Sequence, residues 1–257
     1  MKLLIVEGNL RDLIADGYPA YAKNFEATLS AIDDSLEFTV AEPFEEPLNV
    51  DDLNDVSGVV FTGSSIEAAM DAPECAPQRE AMELVFRHDL PSWGSCAGLQ
   101  LAATVLGGTI GASPNGVEVG LARELILTEK GQDHAMMAGR PPVDFAVPCI
   151  HRDEVQRLPQ GATLLAQNDH CPVQAFAYET GGIDFWGTQY HPELTPGVIA
   201  AGLRRMGGAA DLGKLLDVAE QDDASAEALG GRRAALAMPA RATELANWLQ
   251  HVREHGC

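Results

Sequence analysis

Short unbroken apolar runs alternate along this chain with longer stretches in which apolar residues recur every three or four positions. Unbroken runs suit strands buried on both faces, and the longer period suits helices lying against them. Residues 3–6 predict a first buried strand, and Tyr21, Phe25, Leu29 and Ile32 recur at the spacing of a following helix. Residues 38–41 and 58–61 predict two more strands, the latter ending in the turn Thr62-Gly63-Ser64-Ser65. A helix is expected over 77–88, with Pro77 in its first turn and Met82, Val85 and Phe86 as core positions. A short strand near Ser92-Trp93 runs into Gly94-Ser95-Cys96-Ala97-Gly98, and residues 99–106 predict a helix stopped by Gly107-Gly108. From about 117 to 186 the pattern is more β-like, with runs at 124–127, 173–178 and 183–186. Thr195-Pro196 opens another helix, and Leu245, Trp248, Leu249 and Val252 form the apolar stripe of a last one. Between them, residues 209–233 are rich in Ala, Asp, Glu and Gly and read as surface helix or mobile linker outside the core. The alternation predicts an α/β fold, an open and mostly parallel sheet with helices on both faces. No repeat of fixed period and no natural domain break interrupts it.

Composition narrows the classes of function. With 257 residues, 46% of them hydrophobic, the chain can bury a sizeable core. Its formal net charge is −21, which repels phosphate backbones and anionic membrane surfaces, so nucleic acid and membrane are not expected partners. The apolar run at 3–6 turns polar at Glu7 and Asn9, too early for a secretory signal or a membrane span. Five cysteines occur at irregular spacing with no C-x-x-C pair, so neither a zinc ribbon nor a redox dithiol is expected. The adjacent pairs Cys149/His151 and His170/Cys171 supply no four-ligand set, and no metal site is expected. A reducing cytoplasm, where a free thiol can act as a nucleophile, fits this cysteine usage.

One cysteine stands apart. Cys96 lies between a strand and a helix with Gly94 and Gly98 on either side, the setting of a nucleophile elbow. A helix starting at Ala97 aims free N–H groups and the positive end of its dipole at the sulfur. That favours thiolate over a thiol of ordinary pKa, about 8.5. The Ala97 N–H is also placed to donate to an oxyanion. Cys75, Cys149, Cys171 and Cys257 lack the flanking glycines and read as structural.

A cysteine nucleophile needs a base, and the base an orienting group. Tyr190-His191-Pro192-Glu193 offers both after a strand, where Pro192 restricts the backbone of His191 and Glu193 can fold back onto the imidazole. His151, in Ile150-His151-Arg152-Asp153-Glu154-Val155, is the rival base, with Asp153 as its carboxylate. No proline fixes that turn, and Arg152 is free to neutralise the neighbouring acids. The other histidines have polar or helical surroundings and read as surface residues.

Taken together, these motifs resemble the class I, triad-type glutamine amidotransferases, whose nucleophile pattern Gly-x-Cys-x-Gly-x-Gln stands complete as Gly94-Ser95-Cys96-Ala97-Gly98-Leu99-Gln100. The family's His-x-Glu stands as His191-Pro192-Glu193, and Thr62-Gly63-Ser64 lies where the family has its oxyanion loop. The 150–155 stretch and Cys171-Pro172-Val173-Gln174-Ala175-Phe176 look like members similar to the amidotransferase domain of GMP synthase. The resemblance spans residues 3 to about 193, in the family's order.

It implies a flavodoxin-like fold over a single domain, residues 1–257, with a helical C-terminal extension from about 209. It implies that Cys96 attacks a γ-glutamyl amide, that His191 moves the proton and that Glu193 orients His191. Gly63 and Ala97 would supply the oxyanion N–H groups, and Ser64 and Gln100 would help line the substrate site. No cofactor is implied. No Gly-rich Walker loop is present, so ammonia would pass to a separate synthase. Alternatively, the same triad would serve a stand-alone γ-glutamyl peptide or amine hydrolase, or the fold would persist as a silent binding module. Two positions depart from the family: Ser64 replaces the second glycine of the loop, and Ala97 replaces a larger side chain, a change that opens room for a bulkier substrate.

Overall fold

The computed structural model describes residues 1–255. Its first half runs Lys2–Val6 (β1), Arg11–Ala15 (α1), Tyr21–Ile32 (α2), Glu37–Ala41 (β2), Gly58–Phe61 (β3), Ala76–Phe86 (α3), Ser92–Ser95 (β4) and Ala97–Val105 (α4). There follow Thr109–Ala112 (β5), Glu118–Leu127 (β6), Glu129–Asp133 (α5), Phe145–His151 (β7), Asp153–Arg157 (β8), Thr163–Gln167 (β9), Ala175–Thr180 (β10) and Ile183–Thr188 (β11). The chain closes with Pro196–Arg205 (α6), Ala210–Val218 (α7), Asp223–Ala228 (α8), Arg233–Leu236 (α9) and Thr243–His255 (α10).

A nine-stranded sheet has the order β2-β1-β3-β4-β11-β10-β9-β6-β7, and β5 pairs with β8 in a separate ribbon. The five strands from β2 to β11 are parallel. Beyond β11 the sheet continues antiparallel through β10, β9, β6 and β7. The expected open α/β sheet with helices on both faces therefore forms, with its parallel block carrying the motifs.

Strand β1 shows why. Its residues Leu3, Leu4, Ile5 and Val6 are all buried, as an internal parallel strand requires. Leu3 and Ile5 point to the layer of Phe25 and Leu29 from α2 and Trp248, Leu249 and Val252 from α10. Leu4 and Val6 point the other way, to Met82 and Val85 of α3 and Leu99 and Leu101 of α4. Trp248 is fully buried, 6.3 Å between ring centroids from Trp93 of β4.

Residues 209–233 are not a linker. They form α7 and α8, and Leu216, Ala219, Ala226 and Leu229 bury themselves against Leu121, Ile199 and Leu203 over the antiparallel half of the sheet. None of the described helices is long and apolar enough to cross a membrane. The turns that follow β1, β3, β4 and β11 all leave the same carboxyl edge of the sheet, which is where ligands bind in open α/β folds.

Candidate active site

Cys96 occupies the turn between β4 and α4 with φ 52° and ψ −103°, a strained conformation for a residue with a side chain. The turn closes because its neighbours are glycine. A Cβ on Gly94 would sit 2.6 Å from the Gly98 carbonyl carbon, and one on Gly98 would sit 2.4 Å from Phe61 O. The Cys96 N–H donates to Thr188 O at 2.8 Å, fixing the elbow to the end of β11. Ala97 is the first residue of α4, so its N–H is one of the donors a helix start leaves without an internal partner.

His191 is almost fully buried three residues beyond β11. Its Nδ1 lies 2.6 Å from Glu193 Oε1, and its Nε2 is buried with no hydrogen-bond partner among the described residues. Gly63 packs against both groups: a Cβ there would lie 3.0 Å from His191 Cε1 and 3.9 Å from Cys96 Cβ. The Cys96 thiol contacts Ile150 O at 3.7 Å and lies close enough to His191 to act on its ionisation. Burial pulls the imidazolium of His191 down. The Glu193 charge and hydrogen bond, with the adjacent Cys96, outweigh it, and His191 is pushed up to about 10.

Glu193 is itself held. Its Oε2 accepts from Ser95 Oγ at 3.0 Å, and Ser95 Oγ accepts from Trp93 Nε1 at 2.9 Å. Below the turn, Arg241 Nη1 donates to Pro192 O at 2.9 Å and Thr28 Oγ1 to Glu193 O at 2.9 Å. The Tyr190 hydroxyl donates to Glu244 Oε1 at 2.8 Å, where the carboxylate also takes Arg140 through both oxygens at 2.8 and 2.7 Å. Sequence reasoning did not single out Thr28, Ser95, Arg140, Arg241 or Glu244. The one signal available was a charged pair, Arg241 and Glu244, set at the start of an otherwise apolar helical stripe.

The loop after β3 brings Gly63 to this centre, and Ser64 borders the cavity with its hydroxyl held by the chain. Ser64 Oγ donates to Gly8 O at 2.7 Å and accepts from Ile66 N at 3.1 Å. The extra hydroxyl therefore braces the loop against the β1–α1 turn. Gln100 lines the cavity, and its side-chain Nε2 donates to Asp153 O at 2.7 Å and Gln189 Oε1 at 3.1 Å. It fastens α4 to β8.

His151 also borders the cavity, and both its nitrogens are occupied, Nε2 by Glu118 Oε2 at 2.9 Å and Nδ1 by Asp153 O at 3.1 Å. Arg152 takes both oxygens of Asp153, which removes that carboxylate as an orienter. Glu118, Cys149 and His151 bring three ligand-type atoms within 4.8 Å of one another. Glu118 already accepts from Asn168, Gln174 and Cys149 as well as bonding His151, so this group is a satisfied hydrogen-bonded clamp. Those donors outweigh the cost of burial and hold the Glu118 carboxyl below its ordinary range.

Cys96, Ala97 and His191 open into a cavity of about 780 Å³, the size of a small-molecule site. Its walls include the apolar side chains of Ile66, Met70, Val198 and Met206, with Tyr21 stacked on His191 at 6.4 Å between ring centroids.

The chain is similar to known proteins over most of its length. The family model for glutamine amidotransferase class I matches residues 13–204. The γ-glutamyl-L-1-hydroxyisopropylamide hydrolase of a Pseudomonas species is 33% identical over 205 residues, covering 76% of this chain and 68% of that protein. A glutamine-hydrolysing GMP synthase subunit from Methanocaldococcus jannaschii is 29% identical over 153 residues, 59% of this chain and 71% of that one. Among solved structures, a glutamine amidotransferase of Thermotoga maritima superposes with a TM-score of 0.69 at 17% identity, covering 99% and 98% of the two chains.

Proposed function

Because this chain belongs to the class I glutamine amidotransferase family, we propose that it hydrolyses γ-glutamyl amides through a thioester on Cys96, with residues 1–257 acting as one domain. The observation that carries the reading is His191, with Nδ1 fixed by Glu193 and a buried, unpartnered Nε2 beside the elbow cysteine. In the proposed reaction His191 Nε2 takes the Cys96 proton and the sulfur attacks the γ-carbonyl carbon. The N–H groups of Gly63 and Ala97 receive the negative oxygen. His191, pushed up to about 10, returns its proton to the leaving nitrogen, and the C–N bond breaks. Water then attacks the thioester, His191 takes its proton, the C–S bond breaks, and glutamate leaves with the thiol restored. Every group in this sequence is a side chain or backbone atom of the chain, so the reaction as written uses no cofactor. The four described cysteines are free thiols, in keeping with work in a reducing cytoplasm.

The released amine is proposed to be larger than ammonia. The cavity beside Cys96 is the size of a small-molecule site, Ala97 keeps it open, and the Pseudomonas relative is named for hydrolysis of a substituted γ-glutamyl amide. A second reading, glutaminase action that feeds a separate synthase, is favoured by the similarity to the GMP synthase of Methanocaldococcus jannaschii. The isolated chain, assayed on glutamine and on γ-glutamyl alkylamides, separates the two. Higher kcat/KM on the alkylamides supports the hydrolase; activity on glutamine that appears only with a partner supports the synthase component. A glutamine-like diazo-ketone should label Cys96, and a label found on Cys75, Cys149 or Cys171 instead would refute the mechanism.

A further inference from the structure

The sheet edge opposite Cys96 gathers ligand-type side chains that the proposed reaction does not use. Asp184 lies near the start of β11, four residues before Thr188, which meets the elbow; at strand rise that is about 13 Å away. Glu179 of β10 is its cross-strand partner in the hairpin. His251 of α10 reaches down to this pair, with Nε2 2.6 Å from Asp184 Oδ2. One ligand atom from each of Glu179, Asp184 and His251 lies within 4.8 Å of the other two. All three remain open to solvent, with side-chain exposures of 43%, 25% and 15%.

A fourth group stands one helical turn on, outside that 4.8 Å cluster. His255 sits 4.3 Å between ring centroids from His251, an i,i+4 histidine pair on one helix face. His255 Nδ1 lies 3.0 Å from His251 O, a carbonyl that can only accept, so the proton is on Nδ1 and Nε2 carries a lone pair. His134 has the opposite tautomer. Its Nδ1 accepts from Met136 N at 3.1 Å, so Nε2 carries the proton and donates to Glu179 Oε2 at 3.3 Å. With Trp186 Nε1, which donates to Glu179 Oε1 at 2.7 Å, it orients that carboxylate from behind. No lysine or arginine pairs with Glu179 or Asp184 among the described residues, so histidines alone face these two negative charges.

We propose that Glu179, Asp184, His251 and His255 form a binding site for a divalent transition-metal ion of the zinc class, which ties α10 to the β10–β11 hairpin. Two imidazole nitrogens and two carboxylate oxygens are a donor set that suits zinc and its neighbours. Tetrahedral ligands at zinc distances stand about 3.4 Å apart, so the ion enters by opening the His251–Asp184 contact slightly as it displaces the shared proton.

The test uses the full chain with Cys96→Ala, so that the thiol does not compete, after removal of metal by a chelator. Zinc chloride titrated by calorimetry is expected to bind at one site per chain and to raise Tm. Copper(II) is expected to quench tryptophan emission, because Trp186 stacks on His251 at 4.3 Å. His251→Ala and His255→Ala should each weaken zinc binding at least tenfold, and His88→Ala should leave it unchanged. His255 is exposed, so its variant reports on the site even where His251→Ala perturbs folding. Absence of zinc binding at a hundredfold excess, or binding undiminished in the His255→Ala protein, overturns the proposal.

Discussion

Replacing Glu244 by alanine should be among the most damaging single changes outside the site itself. Its side chain is fully buried, and Arg140, which it holds through both oxygens, is only 4% exposed. Burial pulls the Arg140 guanidinium down, but the Glu244 charge and hydrogen bonds outweigh this and keep it raised. Without the carboxylate, Arg140 keeps one bond, to Arg241 O at 2.9 Å, and the Tyr190 hydroxyl loses its acceptor. Stranding a buried charge costs about 3–5 kcal/mol. In a chain of this size that lowers Tm by roughly 6–20 °C. Removing both charges is a different perturbation. Arg140→Met with Glu244→Leu replaces the pair by apolar volume and should recover most of the loss, leaving about 1–3 kcal/mol for the Tyr190 hydroxyl, which still lacks its acceptor. Urea unfolding of the parent, both single variants and the double variant closes the cycle. A single Glu244→Ala cost below about 1 kcal/mol, or a double variant less stable than the single, refutes the reasoning.

Three further outcomes follow from the packing and the charges. Leu216→Ala should cost about 2–5 kcal/mol in urea unfolding, because that side chain is 1% exposed within the α6–α7 contact; a cost near zero would restore the linker reading of this segment. Gly63→Ala places a methyl 3.0 Å from His191 Cε1, and displacing the imidazole should lower kcat about tenfold or more with Tm little changed; unchanged kcat would mean that the loop yields instead of the histidine. The folded-state value of His191 is raised from 6.5 to about 10, so its contribution to stability is complete below about pH 6.5 and fades as pH rises towards 10. The stability difference between the parent and His191→Gln should shrink across that window, and a constant difference would contradict the raised value.

Much of the site was legible because its constraints are local. Gly94 and Gly98 are required by contacts of 2.6 and 2.4 Å, and a glycine-flanked cysteine between a strand and a helix records that requirement directly. The parallel block was legible for a similar reason, since strands buried on both faces leave four-residue apolar runs such as 3–6 and 58–61. In the antiparallel half the β character was legible at 124–127 and 173–178, but the pairing was not. Strands β9 and β6 are only partly buried, β7 carries Pro148 within an otherwise buried run, and a period of two does not say which neighbour a strand will choose. Residues 209–233 form the helices that one reading allowed, but their burial was hidden because they pack partly with small side chains. Ala219 and Ala226 are fully buried, yet alanine leaves little amphipathic contrast in a composition rich in Asp and Glu. Gln100 matched the family's motif, but only the fold reveals that Asp153 O and Gln189 take both bonds of its Nε2.

The hardest part to read was the support of the histidine turn, which comes from distant elements. Tyr190 O accepts from Thr188 Oγ1 at 2.8 Å, and the His191 N–H donates to Pro148 O at 2.8 Å. Pro192 O is taken by Arg241 and Glu193 O by Thr28, more than 160 residues earlier in the chain. Four successive residues are thus anchored by β11, β7, the segment before α10, and α2. Each anchor is an ordinary hydrogen bond contributing about 1 kcal/mol, too little to explain burying an arginine with its Nε unpaired. Their combined effect is positional. A base anchored at four points keeps its orientation, whereas the Cys96 sulfur makes one long contact, to Ile150 O at 3.7 Å. In the proposed reaction the imidazole is thus fixed before substrate arrives, and the sulfur makes the final adjustment. Loosening one anchor should therefore lower kcat more than it raises KM, and Thr28→Val, which removes a single hydroxyl at the turn, isolates that effect.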